Sequence, residues 1–185
     1  MALRHIRQYG DDILQKKAKP VRVFDDVLHR LLDDMWDTLR ANDGLGMAAP
    51  QVGILRRVIV IGFEDETLEL INPVVVEASG SEVKTEACLS VPDKQGEVER
   101  PVYVKVEAFD RYGEPFEVVT EDDMMATAIC HEMDHLDGIL FIDKATKIQD
   151  RPSEEEVKKG KIEGKIKKKA RPRFQRSKTK IAAGR

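Results

Sequence analysis

His131, Glu132 and His135 form the pattern HExxH, which can support metal-dependent chemistry. Histidines four positions apart lie one above the other on one face of an α-helix, so both imidazoles can bind the same metal ion. Glu132 lies one position further round the helix and can reach a water molecule on that ion. Only four histidines occur in the chain and two of them occupy this motif, which argues against a chance match. The motif therefore predicts a metal-dependent hydrolase with Glu132 as acid and base.

A catalytic site of this type usually has three protein ligands, so the histidines need a third. Cys130 would point about 100° away from His131 on a helix with 3.6 residues per turn. Phe141 stands where the extended protease motif HExxHxxGxxH has its third histidine. Two candidates are left. Glu155 lies in a run of glutamates typical of a solvated surface, whereas Cys88 lies in a distant segment, EACLSVP, that we expect to be extended and able to cross the helix. Cys88 is the favoured ligand.

Residues 44–53, GLGMAAPQVG, form a third unusual segment. It matches the dinucleotide fingerprint GxGxxA formally, but a helix instead of a strand precedes it and Pro50 interrupts it. We therefore expect no nucleotide cofactor. Glycines also allow the backbone to approach a ligand closely, and Gln51 would supply an uncharged hydrogen-bond donor within an otherwise apolar stretch.

The elements that position these motifs follow from hydrophobic periodicity. Apolar residues at helical spacing predict an amphipathic helix over 25–41, ended by Asn42, Asp43 and Gly44. Capping and acidic residues near Thr120 predict a second helix that carries HExxH to about Asp137. Strands grouped between helices, without regular βαβ alternation, indicate an α+β domain with antiparallel sheets around the HExxH helix. The predicted strands cover residues 57–63, 68–71, 74–76, 102–109 and 116–120.

Charge is distributed unevenly along the 185 residues. Residues 158–185 contain 13 Lys and Arg against one acid, a charge of +12, whereas the other 157 residues carry −15. This shift predicts a catalytic domain over 1–157 and a basic tail over 158–185 that is disordered or helical. Such a tail would attract RNA or another polyanion.

The sequence also predicts the cellular location. No apolar run approaches the roughly 18 residues that a membrane helix needs, and the opening MALRHIRQYGDD lacks the apolar core of a signal peptide. Two cysteines do not make a disulfide framework in a chain of this length. We expect a soluble protein of the cytoplasm or an equivalent reducing compartment, with no membrane partner.

The three motifs GLGMAAPQ, EACLS and HEMDH occur in the order and spacing found in peptide deformylases, and the chain resembles this family over residues 3–145. The resemblance implies a hydrolase that removes the formyl group from the N-terminal formylmethionine of nascent polypeptides and releases formate. It implies that Cys88, His131 and His135 bind the metal and that Glu132 transfers the proton. The Gln51 side chain and the Leu89 backbone N–H would stabilise the oxyanion.

The resemblance also bears on the metal, the substrate and the partners. One thiolate and two imidazoles by themselves suit zinc, whereas the family implies Fe(II), and nickel or cobalt are further possibilities. Gly44, Leu45 and Gly46 would form one wall of the substrate cleft. The substrates would be N-formylmethionyl peptides, and the basic tail would dock on the ribosome.

Two departures from the family and one charged residue complete the predictions. Ala87 and Cys130 replace the Gly and Gln that precede the motif cysteine and the first motif histidine. Neither change removes a ligand or the acid–base group, so we expect activity. Asp134 is interpreted as a surface or supporting acid, and we hypothesise that it pairs with Arg100 and helps to fix the motif helix.

Two other functions compete with deformylation. An HExxH metallopeptidase would take Glu155 as its third ligand, so Glu155→Ala would lose metal and Cys88→Ala would not. An RNA- or ribosome-binding protein with an inert HExxH site would bind through its tail in a salt-sensitive manner and would hydrolyse no substrate.

Overall fold

The computed structural model describes residues 2–63, 66–120, 123–152 and 174–178, and within them it contains two antiparallel β-sheets and three α-helices. The predicted α+β class with antiparallel sheets is confirmed. In this part of the chain no helix is long and apolar enough to cross a membrane. The helices are α1 Asp26–Ala41, α2 Asp123–Leu136 and α3 Phe141–Lys144. The strands are β1 Gly46–Ala48, β2 Val58–Phe63, β3 Glu66–Ser79, β4 Glu82–Cys88, β5 Val91–Arg100, β6 Tyr103–Phe109, β7 Pro115–Thr120, β8 Lys147–Asp150 and β9 Phe174–Lys178.

The larger sheet has the strand order β1-β2-β3-β6-β7-β9 and carries one helix on each face. Its strand β2 explains why, because successive side chains of a strand point to opposite faces. Ile59 and Ile61 belong to the core cluster that includes the apolar residues of α2. Val58 and Val60 belong to the cluster that includes those of α1. The smaller sheet, of order β4-β5-β8, has its own cluster with the start of α3.

Helix α1 begins one residue later than the predicted range. Asp25 is its N-cap, and its carboxylate accepts hydrogen bonds from the backbone N–H groups of Val27 and Leu28. Six apolar residues at helical spacing are buried: Leu28, Leu31, Leu32, Met35, Trp36 and Leu39. Val27 is 51% exposed, because it lies in the first turn of the helix.

Two strand predictions need correction. Residues 68–71 and 74–76 were expected to be separate strands, but β3 is continuous across Asn72 and Pro73. Asn72 adopts a left-handed conformation with φ of 52°, and the ladder to β6 shifts its register here. The Asn72 side chain holds the irregularity in place, since it exchanges hydrogen bonds of 2.7 and 2.8 Å with the Val21 backbone. Asn and Pro therefore mark a bulge within a strand and not its end.

Strands β4, β5 and β8 were not predicted as a sheet, and the reason is their polarity. The four residues of β8 are all exposed, and β5 begins with four positions of which three are exposed. A strand that is covered on one side by only a few apolar residues gives a weak alternation signal.

Part of the basic tail forms a strand, which corrects the expectation of disorder or helix for those residues. Strand β9 pairs antiparallel with β7 at the edge of the larger sheet. The Arg176 guanidinium lies 4.0 Å from the centre of the Phe116 ring, a cation–π contact. Residues 153–173 and 179–185 lie outside the described residues, so the predicted boundary at residue 157 stays a prediction.

Gly138 and Gly10 provide a matched test of how tightly the N-terminal segment packs against the end of α2. Both have positive φ, of 74° and 99°, but a Cβ at Gly138 would lie 2.5 Å from the Gln15 carbonyl oxygen, whereas Gly10 has no atom within 4 Å. Left-handed strain should cost each alanine variant about 1–2 kcal/mol. We expect Gly138→Ala to lose clearly more stability because of the added clash. Urea unfolding at equal metal loading measures this, and equal losses would contradict it.

Candidate metal centre and active-site cleft

Helix α2 and strand β4 bring together Cys88, His131 and His135, all of them buried. Their ligand atoms lie within 4.8 Å of one another, and the Cys88 sulfur is 3.2 Å from Nε2 of His135. The two imidazole rings, one helical turn apart, have centroids separated by 5.1 Å. A thiolate with two imidazoles is a donor set that binds divalent transition metals. The residues present therefore fit a metal ion at this position.

The pKa values of the two histidines are shifted in opposite directions, and each shift bears on metal binding. Burial lowers the pKa of His135, which keeps its imidazole in the neutral form that binds metals. Burial acts in the same direction on His131, but hydrogen bonds with Cys88 and Glu86 outweigh it and raise the pKa of His131. Metal binding commonly releases protons where thiol and imidazole become ligands.

Cys88 is held at the end of an extended strand, as its segment was expected to be. Strand β4 ends at Cys88, residues 89 and 90 form a two-residue turn, and β5 returns from Val91. The Ser90 backbone N–H donates to the Cys88 sulfur at 3.4 Å. Cys130 is half-buried and packs against the core beneath α2, where burial raises the pKa of its thiol to about 11. Cys130 does not belong to the group of ligand atoms found among the described residues, which agrees with its prediction as a poor ligand.

Glu86 is a site residue that the sequence did not predict. Its Oε2 accepts a 2.7 Å hydrogen bond from Nδ1 of His131, which leaves Nε2 of that ring for a metal. Burial opposes ionisation of Glu86, but hydrogen bonds from Arg100 and His131 outweigh it and lower the pKa of Glu86 to about 2. The signal was present in the EACLS motif, because residues two apart on a strand share a face and Cys88 follows Glu86 by two positions.

A buried ion-pair network lies behind this histidine. The Arg100 guanidinium donates to Glu86 at 2.5 and 3.0 Å and to Asp134 at 2.7 Å. The hypothesised pair of Arg100 and Asp134 is therefore confirmed as a contact. Asp134 is only 9% exposed, which excludes the surface alternative of its interpretation and agrees with a supporting acid. Its second oxygen accepts from Lys144 at 2.6 Å. The network joins β5, β4 and α2 around the metal ligands.

Glu132 is buried beside the candidate ligands, and its Oε2 has no hydrogen-bond partner among the described residues. Burial raises the pKa of Glu132 to about 7, while His131 acts in the opposite direction. Strand β1 passes directly over this carboxyl group. A Cβ at Gly46 would lie 2.7 Å from Oε1 of Glu132, so any other residue at position 46 would displace the carboxyl group.

Gln51 lies in a 3-10 turn, Ala49–Val52, directly after β1. Its Oε1 accepts a 2.8 Å hydrogen bond from the Ala48 backbone N–H. Its Nε2 faces the site, 3.3 Å from Ser90 Oγ and 3.5 Å from the Cys88 sulfur. The carbonyl end of the amide is thus fixed by the backbone, and the amino end is directed towards the candidate metal ligands.

A cleft of about 740 Å³ opens onto the site. It is lined by Gly44, Leu45 and Gly46, by residues of β4 with Leu89, and by residues of α2. All nine sequence-predicted site residues are in or beside this cleft: Gly44, Leu45, Gly46, Gln51, Cys88, Leu89, His131, Glu132 and His135. Glu155, the ligand of the alternative metallopeptidase, lies outside the described residues.

Comparison with known proteins gives the family of the chain. The sequence model of polypeptide deformylases matches residues 3–151. The chain belongs to the peptide deformylase family. It is 52% identical over 144 residues to peptide deformylase 1 of Clostridium acetobutylicum. The matched region covers 78% of this chain and 95% of that protein.

Solved structures of family members have the same fold. The crystal structure of a peptide deformylase from Legionella pneumophila has a TM-score of 0.76 at 40% identity, over 78% of this chain and 87% of that one. The Met-Ala-Ser-bound crystal structure of a class I type b peptide deformylase from Acinetobacter baumannii has a TM-score of 0.74 at 36% identity. The match covers 77% of this chain and 98% of that one.

The protein is therefore a hydrolase that removes the N-formyl group from nascent polypeptides, as the motifs implied. The family is metal-dependent, and the Cys88, His131 and His135 group is able to bind the ion. Neither the metallopeptidase nor the inert RNA-binding protein is supported by these comparisons.

Arg100→Met should destabilise the protein and weaken metal binding, because it leaves Glu86 and Asp134 buried without their shared partner. Breaking a buried ion pair typically costs about 3–5 kcal/mol, and loss of the groups that orient a ligand weakens metal binding about 10–100-fold. Arg111→Met is the matched control, since Arg111 pairs with Glu69 and Asp33 at a partly exposed site. We expect the control to cost about 1 kcal/mol or less and to leave metal affinity unchanged. Urea unfolding and chelator competition measure both quantities, and equal metal affinity in both variants would refute the role of Arg100.

Proposed function

We propose that Cys88, His131 and His135 hold one divalent metal ion, Fe(II) in the cell, with zinc, nickel or cobalt as substitutes. The observation that carries this proposal is the buried three-ligand group with the Glu132 carboxyl beside it. The choice of Fe(II) rests on the three family motifs, because the donor set alone also suits zinc. When bound, such an ion polarises a carbonyl group and makes hydroxide available at neutral pH.

Glu132 is the acid–base group of the proposed reaction. It accepts a proton from the water that attacks the formyl carbon, and a C–O bond forms. It then returns the proton to the nitrogen as the C–N bond breaks, which releases formate and a free methionine amino group. Its burial supports this role, and so does its Oε2, which has no hydrogen-bond partner among the described residues and can accept a proton from a water molecule.

Gln51 and Leu89 stabilise the oxyanion that develops on the formyl oxygen. The Nε2 group of Gln51 and the backbone N–H of Leu89 are the two donors. Donors fixed before the reaction stabilise the developing charge without reorganisation at the moment of attack. The hydrogen bond from the Ala48 backbone N–H to the side-chain Oε1 of Gln51 supports this role, since it keeps Nε2 directed towards the site.

Gly44, Leu45 and Gly46 form the wall that receives the substrate, and the methionine side chain lies between Leu45 and α2. The cleft at this position is lined by Met124 and Ala128 of that helix, which offer apolar contacts for a thioether side chain. The Acinetobacter baumannii relative was crystallised with Met-Ala-Ser, a peptide that begins with methionine. That peptide corresponds to the product of deformylation.

The proposed partner of the basic tail is the ribosome, and the proposed location is the cytoplasm. The 13 basic residues of segment 158–185 supply the charge for contact with rRNA. A thiolate ligand and a ferrous ion both require reducing conditions, which the cytoplasm provides.

Removal of the acid–base group and removal of a ligand should have separable effects. We expect Glu132→Gln to keep its metal and to lose at least 100-fold in kcat, the usual scale for general acid–base catalysis. Cys88→Ala should lose both metal and activity, while Cys130→Ala keeps both and serves as the matched cysteine control. Formate release from formyl-Met-Ala-Ser and metal content after anaerobic loading with Fe(II) or Ni(II) give the result. Full metal content in Cys88→Ala, or turnover in Glu132→Gln, would count against the assignment.

The tail proposal needs a variant that leaves β9 intact, because deletion of residues 158–185 would remove this strand from the sheet. Replacement of the seven lysines between residues 158 and 169 by glutamine lowers the charge without touching β9. We expect weaker ribosome binding with a shallower salt dependence and unchanged deformylation of a tripeptide. Co-sedimentation with ribosomes over a range of salt measures it. Unchanged co-sedimentation would exclude the ribosome as the partner of these lysines.

A further inference from the structure

We propose that Arg7, Gln8 and Tyr9, here called the N-terminal strap, set the spacing between the two oxyanion donors. The strap is a positioning segment, because its own residues do not line the cleft and act only through Gln51 and the turn at Leu89. This inference rests on the proposed roles of Gln51 and Leu89.

The first contact of the strap is with the turn that carries Gln51. The Arg7 backbone N–H donates to the backbone carbonyl oxygen of Gln51 at 2.7 Å. The carbonyls of Ala49 and Pro50 in the same turn accept from the residues that directly follow it, Ile54 and Gly53. The bond to Arg7 therefore ties the Gln51 backbone to a segment outside its own turn.

The second contact is with the two-residue turn between β4 and β5, which carries the Leu89 N–H. The Tyr9 backbone N–H donates to the Ser90 carbonyl oxygen at 2.8 Å. The Gln8 side-chain amide donates to the Leu89 carbonyl oxygen at 3.3 Å. Both carbonyl groups of this turn are thus bonded to the strap.

A bond between the two turns completes a ring of contacts, since Gln51 Nε2 donates to Ser90 Oγ at 3.3 Å. The ring runs from the strap to Gln51, across to Ser90 and back to the strap. The Gln51 turn follows a strand of the larger sheet, and the Ser90 turn belongs to the smaller one. The strap therefore bridges the two sheets beside the two turns that carry the proposed oxyanion donors.

The strap contributes little to the core, so its contacts need another explanation. Its three side chains are exposed, with Tyr9 at 62%. Ile6 on one side packs against the α1 cluster, and Leu14 on the other side is buried in the cluster of the smaller sheet. Two apolar anchors in different clusters thus hold the strap between them, and its own bonds to the turns are polar. Fixed anchors and directional bonds are suited to setting a distance.

Replacement of the Tyr9 backbone N–H by an ester oxygen tests the inference without changing a side chain. The α-hydroxy analogue of tyrosine is incorporated at position 9, which removes the 2.8 Å bond to Ser90. The same analogue at Tyr112 is the matched control, because the Tyr112 N–H donates to Asp110 at 2.9 Å in an exposed turn between β6 and β7. Both proteins are loaded with Ni(II), and kcat, KM, metal content and Tm are measured with formyl-Met-Ala-Ser.

We expect the Tyr9 ester to lower kcat about tenfold, with KM within about twofold and full metal content, because displacement of a donor affects the transition state more than substrate binding. The Tyr112 ester should leave kcat unchanged and shift Tm by a similar amount. A Tyr9 ester with kcat equal to that of the control would overturn the inference, and so would a loss of metal.

A Gln51→Leu variant separates this inference from the function on which it rests. If Gln51→Leu lowers kcat and the Tyr9 ester does not, the strap has no positioning role and the oxyanion assignment stands. If Gln51→Leu leaves kcat unchanged, the oxyanion assignment fails, and the role of the strap fails with it. When both effects are present, we expect the ester to lower kcat less in the Gln51→Leu background than in the parent, because the two changes act on the same donor.

Discussion

The buried guanidinium of Arg100 is the interaction on which the arrangement of the site depends. It lies at the end of β5 and bonds to one carboxylate on β4 and another on α2. Through Glu86 it reaches the ring of His131, and through Asp134 it holds the helix that carries both histidines. A buried ion pair of this kind contributes little net stability, but it is costly to disrupt, because the remaining charge stays out of water. It therefore holds the smaller sheet and α2 in one relative position, which is what a site with ligands from both requires.

The chain before α1 also bonds to both α2 and the larger sheet, although it has no regular structure apart from a short 3-10 turn. Its Ala18 N–H donates to the last residue of α2, Leu136, at 2.8 Å, and Val21 bonds to Asn72 within β3. These contacts are made by backbone groups whose pairing partners lie far away in sequence. They explain why the end of α2 tolerates no side chain at Gly138, where the passing backbone of Gln15 fills the space.

Elements with strong hydrophobic periodicity could be predicted from the sequence. α1 and strand β2, which packs against it, follow from apolar spacing, and the HExxH spacing indicates the helix that presents the ligands. Strand β1 was not predicted, because its three residues lie in a glycine-rich segment. The smaller sheet could not be found in this way, because positions that other strands give to Val or Ile are occupied there by Glu86, Cys88 and Arg100. Their burial is stabilised by bonds to α2 and to one another, which no single-strand pattern contains. Strand β9 was missed for a related reason, since its pairing with β7 lies in a basic segment that resembles solvated tail.

The two-residue turn between β4 and β5 limits how the chain can vary in length. Cys88 and Leu89 are adjacent, and Glu86 shares the face of Cys88, so a single inserted residue in β4 would turn these side chains to the opposite face of the strand. The ligand, the residue that orients His131 and the oxyanion donor would all move together. Among natural relatives, length differences should therefore be absent from this hairpin and should collect in turns such as that between β6 and β7, where an added residue alters no contact of the cleft.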